Sequence, residues 1–174
     1  PTNASFQAFV TGMRVTEGEA RARQWLTAMK AAGTRSYDNN VLALEAVDRG
    51  EIALALINHY YWYEEVAEKG QAAVHARIAF VTGGDPGGLI NVAGIGVLKG
   101  TERRAAAEKA VDFLLSREAQ THFATETKEY PLAAGVPAEK GLPPLDSLHG
   151  PDIDLSSLDS LERTLDLLKE VGLV

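Results

Sequence analysis

The run Ile52-Ala53-Leu54-Ala55-Leu56-Ile57-Asn58-His59-Tyr60-Tyr61-Trp62-Tyr63 decides how the rest of the chain is read. Its first six residues are apolar, with no polar face at 3.6-residue spacing, which predicts a strand covered on both sides in a parallel sheet. Polar and aromatic residues follow, where the strand should hand over to a helix. In open α/β sheets that junction, at the carboxyl end of a strand, is where ligands sit. On a continuing strand Tyr60 and Tyr61 would point to opposite faces. If the chain turns helical between them, both phenols converge on one point.

The 174 residues suit one α/β domain or two small lobes, with 45 % hydrophobic and 24 % charged residues. A net charge of -7 with no basic patch argues against nucleic acid as a partner. There is no cysteine, so disulfides, zinc–thiolate sites and thiol catalysis are excluded. No apolar run approaches the roughly 20 residues that a membrane span requires. The opening Pro1, with no signal segment before it, leads us to expect that the chain starts inside a larger protein.

Outward from the central run, helical periodicity recurs. Phe6, Phe9, Val10 and Met13 predict a first helix capped by Thr2 or Asn3, whose free N–H groups form a candidate anion seat. Thr16-x-x-Glu19 reads as a capping box for a second helix with Trp25, Leu26 and Met29 inward, closed by Gly33. A third helix spans 41–47, with Asn40 either its cap or an amide turned into a cleft. Helix 62–69 follows the tyrosines. Residues 75–82 and 91–98 read as further strands, joined by the turn-rich connection Thr82-Gly83-Gly84-Asp85-Pro86-Gly87-Gly88. Residues 102–115 form an amphipathic helix with Ala106, Ala110, Val111, Phe113 and Leu114 inward, and Ser116 caps a helix running to about residue 127. Residues 135–151 are loop-like. Leu158, Leu161, Leu165 and Leu168 predict one amphipathic helix closing at Gly172.

Most catalytic patterns are missing. The 82–88 loop lacks the Lys-Ser/Thr of a P-loop, and glycines 94, 96 and 100 have the wrong spacing for a dinucleotide fingerprint. There is no G-x-S-x-G elbow, and His59, His75, His122 and His149 show no ligand spacing. An enzyme is not expected. The tyrosine pair admits two readings, packing or metal ligation. A phenol ionises near pH 10, so ligation at neutral pH needs a strong cation, and a hard ion such as ferric iron suits phenolate oxygen.

Nearly end to end, the chain resembles the second half of the bacterial ferric-ion-binding proteins of ABC importers. The resemblance is carried by Pro1-Thr2-Asn3-Ala4-Ser5-Phe6-Gln7, Asn39-Asn40-Val41-Leu42-Ala43-Leu44 and, most specifically, Asn58-His59-Tyr60-Tyr61. It continues through Asn91-Val92-Ala93-Gly94, Phe113-Leu114-Leu115-Ser116-Arg117-Glu118-Ala119-Gln120 and Glu129-Tyr130-Pro131. It implies an α/β fold of the periplasmic-binding-protein type (type II), with a mixed sheet flanked by helices. It also implies that Tyr60 and Tyr61 give phenolates to Fe3+, and that Asn3, Ala4, Ser5, Asn40 and Asn58 hold a synergistic phosphate or carbonate. Asn3-Ala4-Ser5 departs from the Ser/Thr-Gly-Ala often found there, which leaves the anion open. His59 stays outside the ligand set.

On the same resemblance, residues 1–90 form the carboxy-terminal-lobe portion with the metal site, 91–135 cross toward an amino-terminal lobe, and 136–174 are a Pro/Gly-rich linker and terminal helix. The remaining metal ligands would come from that amino-terminal lobe. The implied function is capture of ferric ion and its delivery to an ABC permease in the inner membrane. The location would be periplasmic, or extracellular and membrane-anchored in a Gram-positive host. The alternatives are a binding protein for another anion or small organic ligand, with the tyrosines stacking on it, and an enzyme using the tyrosines as acid and base.

Overall fold

Asn3 starts the first helix: its side-chain oxygen accepts the Phe6 N–H at 3.1 Å, so Asn3 rather than Thr2 is the cap. The computed structural model describes residues 1–174. Its contacts gather into two units, Pro1–Asn58 with Ile78–Asn91 and Leu148–Val174, and His59–Arg77 with Val92–Ser147. No helix is long and apolar enough to cross a membrane.

The first unit is built on α1 (Ala4–Glu17), α2 (Glu19–Ala31) and α3 (Asn40–Asp48), with the last helix of the chain closing its core. Gly18 separates α1 from α2 at φ 88°, in the left-handed region that glycine adopts without a Cβ penalty. The expected capping box is absent. The Thr16 hydroxyl bonds back to the Gly12 carbonyl at 2.8 Å, because Thr16 is still inside α1 and its own helix supplies the nearer acceptor. Gly33 closes α2 as expected, at φ 76°. Asn39, not Asn40, caps α3, accepting the Leu42 N–H at 2.9 Å.

Val10, Met13, Ala22, Leu26, Leu167 and Leu168 form the buried core of this unit, flanked by Phe6, Phe9 and Trp25. A buried hydroxyl pair, Thr11 and Thr164 at 2.7 Å, satisfies the polar groups inside the seam. Arg14 reinforces it with bonds to the Ser160 carbonyl and the Thr164 hydroxyl. Leu26 is fully enclosed, so Leu26→Ala should lose about 2–5 kcal/mol of stability, read as a lower urea midpoint. An unchanged midpoint would show that this seam is not cooperative with the rest.

The glycine-rich loop is a connection, as expected, and a tight one. Asp85 caps a 3-10 turn at Pro86–Gly88, and the Gly84 N–H reaches the His149 carbonyl at 2.9 Å. A Cβ on Gly150 would come within 2.6 Å of the Gly88 carbonyl oxygen. Only glycine permits this backbone-on-backbone approach. The terminal leucine pattern forms two elements, a 3-10 segment at Leu155–Asp159 and the final helix Leu161–Glu170, broken at Ser160. The buried stripe of the final helix is Thr164, Leu167 and Leu168; of the expected leucines, Leu158 and Leu165 are half-buried and Leu161 is exposed. Gly172 ends the helix at φ 68°.

The second unit holds α4 (His59–Lys69), α5 (Arg104–Leu114) and α6 (Arg117–Glu126); the final helix, Leu161–Glu170, is then α7. Trp62 pins α4 by donating its indole N–H to the Ala76 carbonyl at 3.0 Å. Ser116 caps α6, as its position predicts. Gln120, nearly buried, ties both ends of the following turn, donating to the Leu114 carbonyl at 2.9 Å and accepting the Leu132 N–H at 2.7 Å. The inward face expected for α5 is only partly covered: Val111 and Leu114 are half-buried, while Ala106 and Ala110 are exposed and Phe113 is 55 % exposed.

None of the three expected strands forms: residues 52 and 53 lie in a bend, and 54–57, 75–82 and 91–98 carry no regular secondary structure. The run at 52–57, expected to be covered on both sides, leaves Leu54 73 % exposed and Leu56 51 % exposed. A strand exists only through hydrogen bonds to a neighbour, and no ladder forms along this run.

Candidate metal centre

Helix α4 begins at His59, three residues earlier than the sequence suggests, so both tyrosines lie in its first turn. Successive helical residues point about 100° apart instead of 180°. The Tyr60 and Tyr61 rings are accordingly neighbours, with centroids 4.5 Å apart and planes inclined by 40°. Both are half-buried. The backbone therefore brings two phenols of consecutive residues to the N-terminal end of one helix, where the helix dipole favours negative charge.

The other aromatic groups around α4 are committed elsewhere. Tyr63 donates its hydroxyl to the Gly141 carbonyl at 3.2 Å, and burial pushes its phenol upward. Tyr130 donates to the Pro143 carbonyl at 2.7 Å, and burial followed by the neighbouring Tyr63 pushes it up to about 12. Both phenols stay protonated at neutral pH. Because Tyr130 holds its proton more tightly in the fold than unfolded, its contribution to stability is complete below pH 10 and is lost between pH 10 and about 12. Tyr130→Phe should flatten that alkaline loss in melting temperatures recorded from pH 9 to 12.

His59 packs edge-on to Tyr60 with ring centroids 5.6 Å apart, and its Nε2–H donates to the Lys128 carbonyl at 3.0 Å. Burial holds its ring below the usual histidine range. No group of three or more His, Asp or Glu side chains converges to hold a metal.

In the first unit the predicted anion residues fall around the start of α1. The Asn3 side chain is spent on capping, which leaves the Ala4 and Ser5 N–H groups in the helix's first turn. The Asn58 side-chain amide donates to the Ser5 hydroxyl at 3.2 Å, and the Asn58 backbone N–H donates to the Asn40 side-chain oxygen at 3.0 Å. Asn40 is thus neither the helix cap nor an isolated cleft amide: it holds the end of the 52–58 run. Ser5, Asn40 and Asn58 are brought together, with Asn3 and Ala4 on the adjoining turn. Nothing in the sequence marks Lys128, whose carbonyl is tied to His59 across 69 residues; Gln120 and Tyr130 enter there only through the resemblance, not for the backbone ties they make 6 to 13 residues away.

The family model of the bacterial extracellular solute-binding proteins matches residues 1–155, and the chain belongs to that family. It is 38 % identical over 173 residues to the major ferric iron-binding protein of Neisseria meningitidis serogroup A, covering 99 % of this chain and 52 % of that protein. To the Fe(3+)-binding periplasmic protein of Serratia marcescens it is 29 % identical, covering 100 % of this chain and 51 % of the other. Among solved structures, iron-bound HitA from Pseudomonas aeruginosa superposes with a TM-score of 0.91 at 36 % identity, over 99 % of this chain and 55 % of that one. The fold is therefore that of the periplasmic binding proteins, and the chain spans about half the length of these relatives.

Proposed function

We propose that this chain supplies the tyrosine and anion donors of a ferric-ion carrier serving an ABC importer. The observation that carries the reading is the placement of Tyr60 and Tyr61 together in the first turn of α4, rings 4.5 Å apart. Two adjacent phenolates match a hard trivalent ion, and the bound ion's charge is what allows them to ionise near neutral pH. The Ala4 and Ser5 N–H groups with Ser5, Asn40 and Asn58 suit a tetrahedral or planar oxyanion, phosphate or carbonate, which would complete the coordination and offset its charge. The ion is cargo, and the protein a carrier instead of an enzyme. Its names among relatives, a major ferric iron-binding protein and a periplasmic Fe(3+)-binding protein, support the same cargo and a periplasmic location.

Two phenolates and an anion do not fill an iron coordination sphere, so further ligands belong to an amino-terminal lobe of the kind that makes up the other half of the relatives. The apolar groups left exposed at Ile95, Leu98, Phe113 and Leu115 support a 91–135 segment that packs against that lobe, and the same reading takes the mixed sheet of the family to be completed there. Hinge closure of two lobes over the ion, and release to an inner-membrane permease, follow the same reading. An extracellular, membrane-anchored carrier in a Gram-positive host would use the same site. The test is an Fe3+ titration of the full-length protein as its gene encodes it, with phosphate or carbonate present. A visible phenolate-to-iron charge-transfer band supports the reading; its absence leaves an organic or anionic solute stacked on the tyrosines as the better assignment.

A further inference from the structure

His59 precedes the tyrosine pair and opens the helix that carries it, yet its side chain is held by backbone 69 residues further on. The bond runs from Nε2–H to the Lys128 carbonyl at 3.0 Å, so the neutral ring is in the Nε2-protonated form. That carbonyl is aimed by a specific turn. Lys128 sits just beyond α6 at φ 56°, in the left-handed region, and the Glu129 N–H closes six residues back onto the Phe123 carbonyl at 3.3 Å. A left-handed conformation is uncommon for a residue with a long side chain and persists only where its surroundings hold it. On its other side the His59 ring meets Tyr130 at 5.3 Å, and Tyr130 is itself fixed through its hydroxyl to Pro143. The imidazole is held by the Lys128 hydrogen bond and flanked by two anchored rings, Tyr130 and, at 6.3 Å, Tyr63, whose hydroxyl is tied to Gly141. Tyr60 packs edge-on against it.

We propose that His59 is the positioning residue of the tyrosine pair: its bond to Lys128 fixes the first residue of α4 and the ring against which Tyr60 is oriented, so that the phenol is presented in one direction. The inference rests on the reading of Tyr60 and Tyr61 as iron ligands. Ligand orientation by outer groups is a general requirement of metal sites, and its loss typically lowers metal affinity about 10- to 100-fold. His59 does this without touching the ion.

The test compares unsubstituted full-length protein with His59→Phe, His59→Gln and Tyr60→Phe, each titrated with Fe3+ in phosphate and followed by the visible band and by competition with citrate. His59→Phe keeps an aromatic ring beside Tyr60 and Tyr130 but has no donor for Lys128. Its iron affinity is expected to fall about 10- to 100-fold, with a shifted band maximum. His59→Gln restores an N–H donor at similar reach and should recover both. An unchanged affinity and band in His59→Phe overturns the assignment, and so does a His59→Gln variant as weak as His59→Phe. Should His59→Phe fail to fold, His59→Gln decides alone: an unshifted band sustains the assignment and a lost band overturns it. A band missing from the unsubstituted protein, or one that survives Tyr60→Phe unchanged, removes the tyrosine reading itself and this inference with it, which separates that failure from one confined to His59.

Discussion

Replacing Tyr60 and Tyr61 together by phenylalanine is expected to abolish the ferric charge-transfer band and to weaken iron binding by more than about 100-fold, beyond the usual cost of disturbing groups outside the coordination sphere. The substitution removes two oxygens and nothing else. The rings, 4.5 Å apart in one helical turn, keep their mutual packing, and α4 keeps its indole anchor at Ala76. Circular dichroism and melting temperature should therefore stay close to those of the unsubstituted protein. The single variants carry the argument further. If both oxygens bind the ion, each single variant retains a weaker and shifted band from the remaining phenolate. If only one binds, one variant is silent and the other spectroscopically normal. A double variant that binds iron at full strength would show that the donors lie elsewhere. The tyrosine pair would then be packing, the bland alternative that sequence alone left open.

The local parts of this architecture were legible in sequence, and the paired parts were not. Asn3, Ser116 and Gly33 act at helix ends within a few residues of themselves, so their roles follow from spacing alone. The same spacing misled at Thr16, where the hydroxyl had an acceptor inside its own helix. The run at 52–57 was recognisable as non-helical because its apolar pattern excludes an amphipathic helix, but a strand also needs a neighbour, and pairing is a property of two segments. The site divides in the same way. Tyr60 and Tyr61 stand out as consecutive residues, although the start of α4 at His59, which sets their divergence, was placed too late. The Asn58–Ser5 and Asn58–Asn40 bonds join residues 53 and 18 positions apart, and only the family resemblance drew those residues together in advance. The His59–Lys128 bond had no such help, and no local pattern marks Lys128 as a residue in a left-handed turn.

The second large effect is expected at Asn58, where substitution by aspartate separates the anion from the fold. The Asn58 side chain donates to the Ser5 hydroxyl, and its backbone N–H is held by Asn40. In Asn58→Asp the backbone bond is untouched, and the Ser5 hydroxyl can reverse its role and donate to the new carboxylate. A negative charge beside the first turn of α1 is favourable to the helix by about 0.3–1 kcal/mol, so stability should hold or rise slightly. The same charge works against a bound oxyanion. At about 4 Å and an effective dielectric of 20, two like unit charges repel by about 4 kcal/mol, close to a 1,000-fold loss in anion affinity. Repulsion exceeds any gain from the helix dipole. The measurement is the ratio of iron affinities with and without phosphate, repeated with carbonate. For the unsubstituted protein the ratio should be well above one, and for Asn58→Asp it should collapse toward one while the tyrosinate band persists. If the ratio is unchanged in the variant, the start of α1 is an ordinary capped helix and the anion, if any, binds elsewhere. If the band itself disappears, the anion is indispensable to the iron site and not merely an aid to it, which would make Asn58 as necessary to cargo binding as the tyrosines that follow it in the chain.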